Sequence, residues 1–85
     1  MPHLTPSHDE SRQRFTLTFP EGEAELTYER TGPRVVFTHT FVPPSLRGRG
    51  LAEMLVRAGL AWATDEKLQV SATCSYVVRF LPHIS

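Results

Sequence analysis

The chain has a single cysteine, no net charge and no long apolar run, and each absence excludes a class of protein. One cysteine in 85 residues cannot form an internal disulfide. Nine Lys and Arg residues balance nine Asp and Glu residues, so no long-range field attracts nucleic acid or an anionic membrane. No stretch approaches the roughly 20 apolar residues of a membrane span or the layout of a signal peptide. We therefore predict a cytoplasmic protein that recognises any anionic partner through local contacts.

The length permits one small domain. A chain of this size buries roughly 60% of the surface that its unfolded form exposes. The first thirteen residues are polar, aperiodic and interrupted by Pro2 and Pro6, which is typical of a loose segment. His3 and His8 in this segment have no Cys or carboxylate at metal-ligand spacing, so we interpret them as solvated and expect no metal. We predict a flexible tail over residues 1–13 and a folded domain over residues 14–85.

Apolar periodicity predicts three antiparallel strands in the first half of the domain. Apolar and polar residues alternate over residues 15–19 and, after a turn at residues 20–23, over residues 24–29, a pattern typical of a hairpin with one wet face. A second turn at residues 31–33 leads into a strand over residues 34–42. Both faces of this third strand are largely apolar, which places it inside the sheet.

His39 lies on this inner strand, where strict alternation places it on one face with Val35, Phe37 and Phe41. A histidine on an apolar face is often a packed core residue. An imidazole also has an ordinary pKa of about 6.5, which suits the deprotonation of an ammonium ion at neutral pH. The sequence leaves both interpretations of His39 open, as core residue and as catalytic base.

A glycine-containing loop follows the strand, which must stop at Pro43 and Pro44 because neither has an N–H to donate. The loop reads Arg47-Gly48-Arg49-Gly50-Leu51-Ala52 and leads directly into a helical pattern. Glycine allows a tight turn and a close approach of the backbone to a ligand. The first N–H groups of a helix have no intrahelical partner and favour anions. The loop therefore predicts a phosphate cradle.

The second half of the chain predicts a helix, a strand and a second, short helix. One helical face carries a set of apolar residues at suitable spacing, namely Leu51, Met54, Leu55, Ala58, Ala61 and Trp62. Residues 64–67 form a polar break, residues 68–73 a strand, and residues 75–81 a short helix with Tyr76 or Val77, Phe80 and Leu81 packed inward. A strand–helix–strand unit of this length implies a right-handed crossover and a parallel pair. The predicted fold class is α+β, with an antiparallel hairpin and a central strand before the crossover.

Residues 38–52 resemble motif A of the GNAT N-acetyltransferase superfamily, Gln/Arg-x-x-Gly-x-Gly/Ala, which Arg47, Gly50 and Ala52 fill. Cys74-Ser75-Tyr76-Val77 follows the next strand. With this segment the chain resembles the very small, single-domain GNAT-like acetyltransferases that carry a His-Thr-x-Val-Pro strand and a Cys-Ser-Tyr-Val segment. The resemblance covers about residues 15–81. It implies a GNAT-like fold and an enzyme that transfers acetyl from acetyl-CoA to a primary amine.

The resemblance also implies where acetyl-CoA binds. The sheet is expected to splay between the strand that ends at Val42 and the strand that ends at Thr73. The pyrophosphate is expected on the N–H groups of Arg47, Gly48, Arg49, Gly50, Leu51 and Ala52. The pantetheine arm is expected to pair with free backbone groups of Thr40, Phe41 and Val42.

The catalytic acid usual in the superfamily is absent. Many GNAT enzymes carry Asn-x-x-Ala-x-x-Leu/Phe-Tyr after this strand, and the tyrosine protonates the departing CoA thiolate. Here Cys74 takes the Asn position and Leu81 the Tyr position, while Tyr76 on a helix projects from a different face. We predict that Cys74 serves as acid or as transient nucleophile. The alternative is a buried, inert cysteine.

The acceptor is not predicted by the sequence. Larger GNAT members have two helices between their first two strands, where this chain has only residues 20–23, so the acceptor groove is expected to be open. A small amine, a polyamine or a protein lysine would each fit. A non-catalytic module that binds CoA or acyl-CoA is the alternative function. The exposed edge of the first hairpin could pair, so a monomer or weak dimer is expected.

Overall fold

The structure is a computed structural model that describes residues 5–79. In this range the chain forms strands β1 (Ser7–Asp9), β2 (Arg14–Phe19), β3 (Gly22–Thr31), β4 (Arg34–Phe41) and β5 (Gln69–Ala72), and helices α1 (Leu51–Asp65) and α2 (Ser75–Val78). The strands make one sheet in the order β1-β2-β3-β4-β5. The first four are antiparallel to their neighbours, and β5 runs parallel to β4. The α+β class, the inner position of β4 and the parallel crossover pair are confirmed.

The N-terminal strand β1 was not expected. Ser7–Asp9 pairs with β2 at the edge of the sheet, and the His8 ring stacks on Phe15 with 4.0 Å between centroids. The prediction of a loose tail over residues 1–13 is wrong at this strand, and His8 is not solvated. The sequence does not indicate β1, because His8 is the one residue of this strand whose ring packs on the core and no alternating pattern results. The edge of β2 that was predicted to be exposed is covered by β1, whereas His3 lies outside the described residues.

One hydrophobic core lies between one face of the sheet and the two helices. It includes Phe15, Leu17, Ala24, Leu26, Tyr28, Val35, Phe37, Leu46, Leu51, Leu55, Val56, Leu60, Ala63 and Val77. The opposite sheet face carries polar groups, among them Arg14, whose guanidinium lies 3.0 Å from a Glu25 carboxylate oxygen, and the bonded hydroxyls of Thr27 and Thr38. The domain therefore has two layers, a sheet and a helical layer, and one polar sheet face.

The buried face of α1 is centred on Gly59. A Cβ there would lie 2.9 Å from both Leu26 Cδ2 and Phe37 Cε1, so the helix lies close against the sheet at this glycine. Leu55 and Ala63, one turn before and one turn after Gly59, are consequently buried. The predicted face included Leu51 and Leu55 correctly. It was wrong at Ala61, which is exposed, whereas Met54, Ala58 and Trp62 are half-buried and pack against the core.

Strand β4 contains one residue more than the part of β3 that it pairs with. Thr27 pairs with His39 but Tyr28 pairs with Phe37, so Thr38 is the additional residue of a β-bulge. An extra residue reverses which side chains face the core, since successive side chains point to opposite faces.

The burial of the strand changes at this bulge. Before it, Val35 and Phe37 are fully buried. After it, His39 and Phe41 are exposed while Thr40 is half-buried. The expectation that His39 shares a face with Val35 and Phe37 is therefore wrong, and the interpretation of His39 as a core residue is excluded.

Helix α2 is short and buries Val77 completely, whereas Tyr76 is half-buried. The predicted inward packing of Val77 is confirmed. Phe80, Leu81 and His83 lie outside the described residues. Neither helix within residues 5–79 has the length and hydropathy needed to cross a membrane.

Candidate active site

The loop between β4 and α1 is shaped by two glycines with left-handed backbone. Gly48 has φ +85° and Gly50 has φ +73°, values that residues with a Cβ adopt at a cost. A Cβ at either position would meet open space, so backbone conformation rather than crowding requires glycine here. Gly50 caps α1, and its carbonyl accepts the N–H of Met54 at 3.1 Å. The N–H groups ahead of Met54 are the unpaired donors of the first turn.

Arg47 is committed to contacts within the loop. Its N–H donates to the Pro44 carbonyl at 3.3 Å, and its Nε donates to the Val42 carbonyl at 3.1 Å. The Arg47 N–H, which was expected to contribute to the cradle, is thus already bonded within the loop, although Arg47 lines the cleft described next. The side chain instead ties the loop to the end of β4, which fixes the position of the glycines relative to the sheet.

A cleft of about 440 Å³ opens above this loop. Its lining residues are Val42, Leu46, Arg47, Gly48, Gly50, Leu51, Ala52, Glu53 and Tyr76. Most of the predicted cofactor residues are among them. Thr40, Phe41 and Arg49 are not, and Leu46, Glu53 and Tyr76 were missed by the sequence argument.

The sheet opens next to this cleft. The pairing of β4 with β5 ends at Phe37 and Ala72, where the Phe37 carbonyl accepts the N–H groups of Thr73 at 3.0 Å and Cys74 at 3.4 Å. β4 continues to Phe41, paired there with β3. Within the described part of the chain, the last residues of β4 have no partner strand on the β5 side. This is the position at which the sheet was expected to splay.

Cys74 lies at the start of α2, at the edge of this opening. It is half-buried, and its Sγ lies 3.5 Å from the Thr40 hydroxyl. Burial raises the pKa of the thiol, but the Thr40 hydroxyl and the backbone N–H groups of Val77, Tyr76 and Thr40 favour the thiolate and together lower the pKa below its ordinary value. The thiol is thus only partly buried, and the groups around it favour the thiolate.

His39 and Cys74 lie on opposite sides of β4. Thr40, which contacts Cys74, directly follows the exposed His39, and adjacent strand residues point to opposite faces. Cys74 packs against the core, so it belongs to the helical side. His39 belongs to the polar sheet face. The structure therefore does not bring the two predicted catalytic residues onto one face of the sheet.

Tyr76 projects into the cleft although its place on a helix had argued against a role. Burial raises the pKa of its phenol, and the nearby Glu53 carboxylate raises it further, against the opposing effects of Arg79 and Arg57. The Arg79 guanidinium lies 6.0 Å from the centre of the ring. The sequence indicates only that Tyr76 and residue 81 project from different helical faces. The fold is needed to place Tyr76 on the cleft.

Glu53 places a carboxylate on the wall of the same cleft. Arg57 Nε donates to it at 2.7 Å, so the arginine partly neutralises an acidic group beside the loop of Gly48 and Gly50. The i,i+4 spacing of the pair was visible in the sequence, but its position against the cleft was not. Within residues 5–79 no three His, Cys, Asp or Glu side chains are grouped so that they could hold a metal ion.

The sequence matches the family profile of the GCN5-related N-acetyl-transferase over residues 14–84. It is 39% identical over 77 residues to Protein NATD1 of Bos taurus, a match that covers 87% of this chain and 68% of that protein. Protein NATD1 of Homo sapiens is 38% identical over 77 residues, with the same shares covered.

The fold has a solved counterpart. The NMR solution structure of a GCN5-like protein from Staphylococcus aureus matches with a TM-score of 0.71 and 26% identity, covering 98% of this chain and 82% of that chain. The fold predicted from the sequence is confirmed by this match.

Proposed function

Because this chain belongs to the GCN5-related N-acetyltransferase family, we propose that it transfers the acetyl group of acetyl-CoA to a primary amine. Family and fold make it an acetyltransferase. The observation that best supports this proposal is the cleft over Gly48 and Gly50, where we propose that acetyl-CoA binds. The cleft adjoins the end of β4, which has no partner strand on the β5 side. A phosphate cradle and a free strand edge are the two features that a CoA pyrophosphate and a pantetheine arm require.

The loop alone does not account for tight binding. A helix N-terminus contributes about 0.3–1 kcal/mol to an anion and up to ~2 kcal/mol when partly buried, whereas micromolar affinity needs roughly 8 kcal/mol. Charge-assisted bonds contribute about 1.5–3 kcal/mol each. We propose that Arg49 and pairing along Thr40, Phe41 and Val42 provide the remainder, since Arg47 is held by Val42.

We propose that Cys74 carries the acetyl group transiently. Its thiolate attacks the thioester carbonyl, the bond from carbon to the CoA sulfur breaks, and the released thiolate takes a proton from solvent. The amine then attacks the S-acetyl group, the bond to Cys74 breaks, and the thiolate is regenerated. His39, on the other side of β4, accepts the proton that the amine loses.

The lowered pKa of Cys74 favours this role over that of an acid. A nucleophile must be a thiolate before the reaction, and hydrogen bonds to the thiolate increase its population at neutral pH. In the alternative route the amine attacks acetyl-CoA directly and the Cys74 thiol protonates the departing CoA. That route needs the protonated thiol.

Acid quenching followed by intact-mass analysis distinguishes the two routes. Protein mixed with acetyl-CoA in the absence of amine should gain the mass of one acetyl group. Since Cys74 is the only cysteine, Cys74→Ala should gain none. Amine added to the acetylated protein should remove the group at a rate no slower than turnover. If Cys74→Ala transfers acetyl as fast as the wild type, neither role of the thiol is correct.

The acceptor can be identified by comparing rates of acetyl transfer to different amines. We propose a primary amine, with small amines, polyamines and lysine-containing peptides as the classes to compare. Transfer to one class with a clearly higher kcat/KM would identify the substrate. Tight binding of CoA without transfer to any amine would instead support a non-catalytic CoA-binding module.

A further inference from the structure

Thr40 makes a side-chain contact across the opening between β4 and β5. Its hydroxyl lies 3.5 Å from the Cys74 sulfur, beyond the point where the backbone pairing of the two strands ends at Phe37 and Ala72. The backbone ladder therefore does not hold Cys74 against the last residues of β4. Thr40 provides that link through its hydroxyl and its backbone N–H, and the hydroxyl is the part that a substitution can remove.

The β-bulge at Thr38 allows the contact between Thr40 and Cys74. In a strand with strict alternation, Val35, Phe37 and residue 39 share the core face, and residue 40 points to the opposite side. The additional residue Thr38 reverses the alternation, so the hydroxyl of Thr40 reaches the helical side where Cys74 lies. A hydroxyl on β4 and a thiol on α2 are thus brought together by an irregularity of the strand.

We propose that Thr40 is a positioning residue of the acetyl-transfer reaction, which holds the Cys74 sulfur at the opening and donates its hydroxyl hydrogen to the thiolate. The backbone of the same residue is a proposed partner of the pantetheine arm. Thr40 would then place the donor and the attacking sulfur from one position on β4. This inference rests on the proposed role of Cys74.

Alkylation of Cys74 tests the inference without acetyl-CoA or an acceptor. Thr40→Val removes the hydroxyl at nearly constant shape, and Thr40→Ser keeps it. Thr38→Val is the matched control, because the Thr38 hydroxyl bonds to Thr27 rather than to Cys74. The pH dependence of iodoacetamide labelling of the full chain is followed by intact mass, with circular dichroism to verify folding.

We expect the midpoint of the labelling profile to move to higher pH in Thr40→Val and to stay in place in Thr40→Ser and Thr38→Val. At neutral pH a rise of one pKa unit leaves about tenfold less thiolate, partly offset by greater nucleophilicity, so labelling should slow about threefold. Thr40→Ala provides a second variant if the valine protein folds poorly. An unchanged profile in the folded variants, or an equal shift in Thr38→Val, overturns the inference.

The transfer reaction gives a second readout. Thr40→Val should lower kcat while the KM for acetyl-CoA stays unchanged, because the backbone at this position is intact. Raising the pH should restore much of the lost rate, since it regenerates the thiolate. A loss that pH does not restore would indicate a structural defect and contradict the inference. Failure of Cys74 to become acetylated would overturn its proposed nucleophilic role separately, because the labelling profile does not depend on acetylation.

Discussion

The Nε2 atom of His8 lies 2.6 Å from the hydroxyl of Tyr28, so the two side chains connect the edge strand β1 to β3 across β2. The His8 ring also stacks on Phe15 and meets the edge of Trp62 with 4.7 Å between centroids. Burial among these rings lowers the pKa of His8, against the opposing effects of the Glu10 and Asp9 carboxylates. The packing around His8 therefore favours the neutral imidazole over the protonated form.

This packing predicts that stability falls as the solution is acidified. The unfolded chain binds a proton at His8 below the ordinary value of 6.5, whereas the folded chain binds it only at a lower pH. The stabilisation is therefore complete above pH 6.5 and is lost as the pH falls through the folded pKa. Urea unfolding at a series of pH values should show this slope in wild type and in His39→Asn. The slope contributed by His8 should be absent in His8→Gln.

His8→Ala should lower the free energy of unfolding by about 1–2 kcal/mol at neutral pH, since it removes ring contacts and a hydrogen bond. The N–H groups of β1 should then exchange with solvent faster than those of β3. If β1 stays protected in His8→Ala, the strand is held by contacts other than this ring.

Gly50→Ala should weaken CoA binding as well as stability. The position has φ +73°, and a left-handed residue with a Cβ costs about 1–2 kcal/mol. Gly32→Ala is the matched control because Gly32 has φ +58° and equally open surroundings, but it lies in the turn before β4, away from the cleft. Both variants should lose similar stability in urea unfolding. Only Gly50→Ala should also raise the Kd for CoA in calorimetry, and equal Kd values would argue against the cradle.

Glu53→Gln should tighten CoA binding. The carboxylate lines the cleft proposed for the pyrophosphate and therefore repels it, but its exposure screens the effect to about two- to fivefold in Kd. Arg57→Gln should act in the opposite direction, because it removes the partner that lies 2.7 Å from the carboxylate. Both changes should shrink as salt is added. Changes of the same sign in the two variants would place the anion elsewhere.

Gly59→Ala should be destabilising in spite of the better helix propensity of alanine. The added carbon would lie 2.9 Å from both Leu26 and Phe37, and such overpacking lowers the free energy of unfolding by about 1–3 kcal/mol. The higher helix propensity of alanine raises it by up to about 1 kcal/mol. Leu26→Val should therefore cost less in the Gly59→Ala background than in the wild type. A double-mutant cycle in urea measures this coupling, and strict additivity would show that the helix shifts instead.

The features that the sequence predicts correctly depend on residue types that are compatible with only one local backbone structure. Gly48 and Gly50 before a helical pattern predicted the loop, and Pro43 and Pro44 predicted the end of the strand. The face of His39 could not be predicted, because nothing in residues 34–42 marks Thr38 as an additional residue. The contact of Thr40 with Cys74 was likewise hidden, since it spans 34 residues and depends on that bulge. His8 was misread because a three-residue strand leaves no periodic signal.

The polar face of the sheet should tolerate amino-acid substitutions better than the core does. Thr27 and Glu25 on that face contribute nothing to the hydrophobic core, and His39 is exposed there. Surface substitutions that break no buried contact usually alter stability by less than about 0.5 kcal/mol. A library randomised over the exposed positions of this face other than His39 should therefore retain mostly folded members, which makes them a tolerant starting point for directed evolution of the domain.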